Sequence, residues 1–95
     1  MAQKLANSDL KQSIEKLDSW VKLEERDAIY RSFKFANFNE AFSFMTRIAM
    51  KAEQLDHHPE WRNVYSTVEV TLTTHSANGI TELDIELAKF MNELV

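Results

Sequence analysis

The stretch NVYSTVEVTLTT, residues 63–74, decides the fold class, because Val68, Val70 and Leu72 alternate with Thr67, Glu69, Thr71 and Thr73. Successive side chains of a strand point to opposite faces, so this pattern predicts a half-buried strand with an apolar side turned to a core. The β-branched density of the stretch supports the same assignment. Upstream, Ala28 to Phe35 alternates as well, with Ile29, Phe33 and Phe35 on one face and Ser32 and Lys34 on the other. A brief strand at Trp20-Val21-Lys22-Leu23 precedes it across the charged turn Glu24-Glu25-Arg26-Asp27, and the two read as a hairpin.

Helical periodicity fills the intervals. Ser8 is a plausible N-cap for a first helix carrying Leu10, Ile14 and Leu17 and ending near Asp18. Asn39 can cap a central helix, with Phe38 and Phe42 as a hydrophobic staple and the apolar pattern continuing to Leu55. On a helical wheel Ala41, Phe42, Phe44, Met45, Ile48, Ala49, Ala52 and Leu55 cover an arc of roughly 160°, wider than a helix on one core needs. Part of that arc is expected to meet another subunit; the alternative is a helix deeply buried within one domain. Pro59 ends any helix and forces His58 into an extended conformation. Asn78-Gly79 supplies a turn, and Thr81 caps a last helix with Leu83, Leu87, Phe90, Met91 and Leu94 on one side. The expectation is one α+β domain over residues 1–95 in the order α-β-β-α-β-β-α, without linker, low-complexity tract or repeat.

Composition narrows the function classes. An apolar fraction of 44% with six Phe, two Trp and two Tyr suffices for a packed interior. A formal charge of -4, with its eleven Lys and Arg scattered, argues against a nucleic-acid partner. Neither a long apolar run nor a signal-like start is visible, so the expectation is a soluble cytoplasmic protein with no membrane role. With no cysteine, chemistry must come from histidines, carboxylates or hydroxyls, and a single glycine leaves no phosphate-binding loop.

All three histidines fall at element boundaries: His57 and His58 after the central helix, His75 where the long strand ends. Each can give or take a proton near neutral pH, so two of them near one substrate provide an acid and a base. An ordinary loop histidine is an equally good explanation of any one. A metal site would need them to converge with Glu53, Asp56, Glu60 or Asp84, yet adjacent residues on an extended segment point to opposite sides, so no metal is expected. Thr81-Glu82-Leu83-Asp84 matches a capping box, which gives Asp84 a structural explanation beside a functional one. Glu53 sits one turn before the central helix ends, facing either solvent or a pocket, and Trp61 and Tyr65 either stack on a planar ligand or belong to the core.

The stretch Glu53-Gln54-Leu55-Asp56-His57-His58-Pro59-Glu60-Trp61, then Asn63-Val64-Tyr65, Thr74-His75 and Asp84, resembles the signature of the pterin-4a-carbinolamine dehydratases. Arg26-Asp27-Ala28-Ile29 and the run from Phe35 through Phe38-Asn39-Glu40-Ala41-Phe42 to Phe44-Met45-Thr46-Arg47 are similar to that family too. The resemblance implies a four-stranded antiparallel sheet with three helices on one face. It also implies a homotetramer, a dimer of sheet-paired dimers meeting through the central helices. The implied reaction is dehydration of 4a-hydroxytetrahydrobiopterin to the quinonoid dihydropterin, a step in tetrahydrobiopterin recycling, with no metal or organic cofactor. His57 and His75 would form the acid–base pair and His58 would bind and orient the pterin. Asp84 would hold His75 or shape the pocket, Trp61 would form a wall, and Glu53, Asp56 and Thr74 would complete the substrate site. Animal members also serve as dimerisation cofactors of a homeodomain transcription factor, so the resemblance carries a second, nuclear role as an interaction module, on which the catalytic segment does not report.

Overall fold

A computed structural model describes residues 2–95. Helix α1 spans Asn7–Lys16, strand β1 Val21–Lys22, β2 Ile29–Lys34, helix α2 Phe38–Leu55, β3 Glu60–Val64, β4 Thr67–Leu72 and α3 Glu82–Glu93, with a short 3-10 turn at His75–Ala77. The α-β-β-α-β-β-α order is the expected one. The strands form one antiparallel sheet in the order β1-β2-β4-β3, so β4, the strand with the clearest alternation, lies inside it. Its Val68, Val70 and Leu72 are fully buried and face Phe33, Arg31 and Ile29 across the ladder. The helices cover that face. Tyr30, Ser32, Lys34, Glu69 and Thr71 line the other, where Tyr30 donates to Glu69 at 2.7 Å.

The core joins this sheet face to one side of each helix: Leu10 from α1, Ala41, Phe44 and Ile48 from α2, and Ile85, Leu87, Ala88 and Met91 from α3. Burying a side chain of the Leu, Ile or Phe class stabilises the fold by about 1.5–3 kcal/mol, so these positions dominate its apolar driving force. Phe33, Phe35 and Phe44 pack as an aromatic group, with Phe33 and Phe44 centroids 4.8 Å apart.

Several local expectations shift. The cap of α2 is Asn37 rather than Asn39: its side chain accepts from the Glu40 N–H at 2.8 Å, and the Glu40 carboxylate takes the Ala36 N–H at 3.2 Å. Phe38 therefore lies inside the first turn, and its pairing with Phe42 is an i, i+4 contact on the helix surface, not a staple. Helix α1 begins after Ala6 with no side-chain cap, so Ser8 lies within it. The stretch from Asn63 to Thr74 is not continuous strand but holds the reversal between β3 and β4: the chain turns back at Tyr65-Ser66, where Val64 pairs with Thr67 and Tyr65 takes a positive φ of 51°. A bulky residue with positive φ is uncommon, and the alternation of side chains gives no sign of it. The wide arc of α2 divides: Ala41, Phe44, Ile48 and Ala52 are buried, whereas Phe42 is 54% exposed and Ala49 is also exposed. No helix among the described residues is long and apolar enough to cross a membrane.

Polar bonds lock α3 to the chain between α1 and β1. The Asn92 carbonyl oxygen accepts from Trp20 Nε1 at 2.8 Å and from the Arg31 guanidinium at 2.5 Å, while its amide donates to the Asp18 carbonyl at 3.0 Å. Trp20 is nearly buried, so removing the acceptor strands an indole N–H away from water. Asn92→Ala is expected to cost about 1–3 kcal/mol of unfolding free energy. Urea denaturation measures it, and a loss below about 0.5 kcal/mol, the level of an ordinary surface change, would mean that the clamp is not structural.

Candidate active site

The three histidines gather at one end of the sheet, where α2 finishes, β3 begins, β4 finishes and α3 begins. Each imidazole pairs with a different carboxylate: His57 with Asp84 at 2.5 Å, His58 with Glu53 at 2.6 Å, and His75 with Glu60 at 3.1 Å. A carboxylate in its ionised form only accepts hydrogen bonds, so an imidazole that faces one through Nε2 carries its hydrogen there and leaves Nδ1 for proton exchange.

The innermost pair follows from two local rules. Helix α2 ends because Asp56 adopts the left-handed conformation (φ 50°, ψ 45°), the position glycine usually takes, and Asp56 N–H returns to Ala52 and Glu53 carbonyls. His57 N–H then donates to the Ala52 carbonyl at 3.0 Å, turning the ring inward. At the facing end of α3, Thr81 and Asp84 complete the capping box: the Thr81 hydroxyl accepts from Leu83 N–H at 3.2 Å and the Asp84 carboxylate takes the Thr81 N–H at 2.9 Å. Asp84 is fully buried, and its oxygens divide the work. Oδ2 accepts from Thr81 N–H and from the Thr74 hydroxyl at 2.8 Å, and Oδ1 accepts from His57. Since Thr74 gives its only hydroxyl hydrogen to Asp84, the 2.7 Å contact between the two hydroxyls runs from Thr81 to Thr74.

The other two pairs are open to solvent. His58 follows the turn of Asp56 and meets Glu53 on the exposed side of α2. His75 opens the 3-10 turn, whose end is set by Asn78 in a left-handed conformation and by the Thr74–Gly79 bridge. Its partner Glu60 is gripped by Arg26, whose two terminal nitrogens reach the two carboxylate oxygens at 2.8 and 2.9 Å. Arg26, Thr73, Thr74 and His75 line one open depression beside this pair.

Of the residues expected in a site, His57, Thr74 and Asp84 form one buried network, and His58 with Glu53 forms a second pair. Asp84 holds His57 and not His75, whose carboxylate is Glu60. Asp56 contributes its backbone turn, and Trp61 is half-buried, packing on the core from the helix-facing side of β3, opposite Val70. Arg26 and Glu60 as an anchor for His75 had not been singled out, because they are 34 residues apart in sequence and meet only once the sheet has formed. No cluster of three or more potential metal-ligating side chains occurs among the described residues.

The hydrogen bonds from Arg26 are the largest influence on the Glu60 carboxyl, lowering its pKa from 4.5 to about 2; partial burial works the other way and His75 adds to the lowering. Because the folded value lies below the unfolded one, any stabilisation from this group is fully present above about pH 4.5 and is lost as pH falls through about 2. Solvent at this partly exposed pair screens it, so the effect on stability is small. A carbon-detected NMR titration is expected to give a Glu60 midpoint near 2, moving toward 4.5 in Arg26→Ala. A wild-type midpoint already at 4.5 would show that the fork does not hold the carboxylate.

A profile of the family described as pterin 4 alpha carbinolamine dehydratase matches residues 3–94. A Burkholderia pseudomallei protein provisionally named a pterin-4-alpha-carbinolamine dehydratase is 55% identical over 94 residues, covering 99% of this chain and 93% of that one. A Chelativorans relative with the same provisional name is 59% identical over 90 residues, 95% of this chain and 92% of its own. The crystal structure of a transcriptional coactivator/pterin dehydratase from Brucella melitensis superposes with a TM-score of 0.95 at 52% identity, covering 97% of this chain and 98% of that one. Similarity over nearly the whole chain, together with the shared fold, places the protein in the pterin-4-alpha-carbinolamine dehydratase family.

Proposed function

We propose that the protein is a hydro-lyase that dehydrates 4a-hydroxytetrahydropterin to the quinonoid dihydropterin by histidine acid–base catalysis. The observation that carries this reading is the set of three imidazoles, each fixed through Nε2 to its own carboxylate, at one end of a sheet. In the reaction the C4a–O bond breaks and the hydroxyl leaves as water after gaining a proton. The N5 electron pair forms the C4a=N5 double bond, and the N5 proton departs. One proton is delivered and one removed, so a pair of imidazoles in opposite protonation states returns the enzyme to its starting charge after one proton exchange.

His57 and His75 are the proposed pair. His57 is only 8% exposed and its ring is fixed by Asp84, which suits a group that must meet one atom of a bound ring. His75, open to solvent, is suited to exchange protons with water between turnovers. His58, held by Glu53, orients the pterin, and Thr74 and Asp84 support His57 from behind. No metal or organic cofactor enters this scheme. A general acid or base in place contributes about 10²–10⁴ in rate, so His57→Ala and His75→Ala should each reduce the enzyme-dependent rate at least about tenfold. Stopped-flow decay of freshly generated 4a-hydroxypterin reads this out; full rates in both variants would sink the assignment.

The proposed assembly is a homotetramer in which α2 faces α2. Phe38 and Phe42, 53% and 54% exposed, pack with tilted rings 5.7 Å apart on the helix surface and continue the apolar arc that covers the core. In Phe42→Glu, sedimentation should show smaller species with the fold retained by circular dichroism, whereas an unchanged mass would remove α2 from the interface. The Brucella neighbour is named as a coactivator as well as a dehydratase, and the exposed apolar line of α2 is also the surface we propose for any protein partner of this chain.

A further inference from the structure

We propose that Glu60 is a positioning residue for His75, selecting its tautomer and ring orientation, and that Arg26 fixes Glu60 in place for that task. The inference deepens the dehydratase reading and rests on it for the catalytic consequence.

His75 stands at the start of a 3-10 turn with its side chain largely open to solvent. Left alone, such a ring would sample several rotamers and both neutral tautomers. Its one hydrogen-bonded side-chain partner among the described residues is Glu60, 3.1 Å from Nε2. Glu60 is not a loose surface carboxylate. It is the first residue of β3, paired across the ladder with Thr71 of β4, so its backbone is fixed relative to the strand that delivers His75. Its side chain is fixed by Arg26, whose planar fork takes both oxygens at 2.8 and 2.9 Å. Such a bidentate pair restrains geometry more than a single contact does. Asp27, the carboxylate that lines the depression beside His75, is occupied by Lys4 at 2.6 Å and Lys22 at 3.5 Å.

The chemistry follows from what a carboxylate can do. Held ionised by Arg26, Glu60 accepts but does not donate, so the His75 hydrogen resides on Nε2 and Nδ1 becomes the proton-exchanging nitrogen. His57 receives the same service from Asp84, with the difference that its carboxylate is anchored by buried hydroxyl and amide donors rather than by an arginine. Both members of the proposed acid–base pair thus have one nitrogen fixed by a carboxylate and the other left for chemistry.

The test combines stopped-flow kinetics with long-range nitrogen–proton NMR of the His75 ring in the full chain, using Glu60→Ala, Glu60→Gln and His75→Ala. In the wild type, neutral His75 should be mainly the Nε2–H tautomer. Glu60→Ala should abolish that bias and lower kcat about five- to twentyfold, less than the about 10²–10⁴ of an acid–base group itself, with KM within about twofold. Glu60→Gln keeps an acceptor oxygen and the side-chain shape, so it should restore most of the tautomer bias and of kcat. In a His75→Ala background, Glu60→Ala should change nothing further, because its effect passes through the missing ring. An unchanged tautomer or an unchanged kcat in Glu60→Ala would overturn the proposal, as would a full loss that persists when His75 is absent. A wild type inactive on the 4a-hydroxypterin would instead defeat the dehydratase reading, and the NMR arm would still decide whether Glu60 orders His75.

Discussion

The buried carboxylate of Asp84 is the group on which the fold and the site both depend. An ion without solvent is costly, and it persists inside a protein only when its lone pairs are met by donors. Here the donors come from three places in the chain: the Thr81 backbone at the start of α3, the Thr74 hydroxyl at the end of β4, and the His57 ring beyond the end of α2. Meeting the needs of one side chain therefore requires two helix ends and a strand end to arrive together. A capping box ordinarily fixes only where a helix begins. With its second oxygen turned to His57, this one also fixes the direction of an imidazole, so the interactions that order the fold at this corner also preorganise the site.

The three histidine–carboxylate pairs form a gradient. His57–Asp84 is largely buried, whereas His58–Glu53 and His75–Glu60 lie in solvent, where the same contact is worth far less. An exposed pair gains order by being tied to something else, and among the described residues the His75 pair alone is so tied, through Arg26. Glu53 reaches His58 across 5 residues at the end of one helix and has no salt-bridge partner beyond it among the described residues. A residue that orients substrate can tolerate such freedom better than one that must transfer a proton to a defined atom.

Legibility in the sequence follows the range of each interaction. The alternation of Val68, Val70 and Leu72 and the Thr81–Asp84 box are encoded within a few residues, and both are realised as read. The choice between Asn37 and Asn39 is also local, but two equally good caps stand two positions apart, and what separates them is where β2 releases the chain. The reversal at Tyr65 was hidden because positive φ is read from glycine or asparagine, and neither is there. The histidines were visible as candidates, but not their partners. His57 meets Asp84 across 27 residues and His75 meets Glu60 across 15, distances that strand register and helix packing decide. Resemblance left Asp84 either to hold His75 or to shape the pocket, and the ring it bonds is His57, because a set of shared residues does not record which of them touch.

Size accounts for the remaining exposed feature. In a chain of 95 residues, three helices laid on four strands can bury only one side of each helix, and α2 carries more apolar surface than that side holds. Apart from Met50, the excess is aligned: Phe38, Phe42 and Ala49 lie along one edge of the buried stripe, continuous with Ala41 and Ala52. Isolated exposed apolar residues need no explanation, but a line of them flanking the core does. The helix that supports this uncovered line ends at Leu55, just before the Asp56 cap and His57, so anything that packs along α2 bears on the element that presents the first two histidines. A surface that covered that stripe would restrain α2, whose Ala52 carbonyl takes the His57 N–H, and so would bear on the backbone that presents the His57 ring.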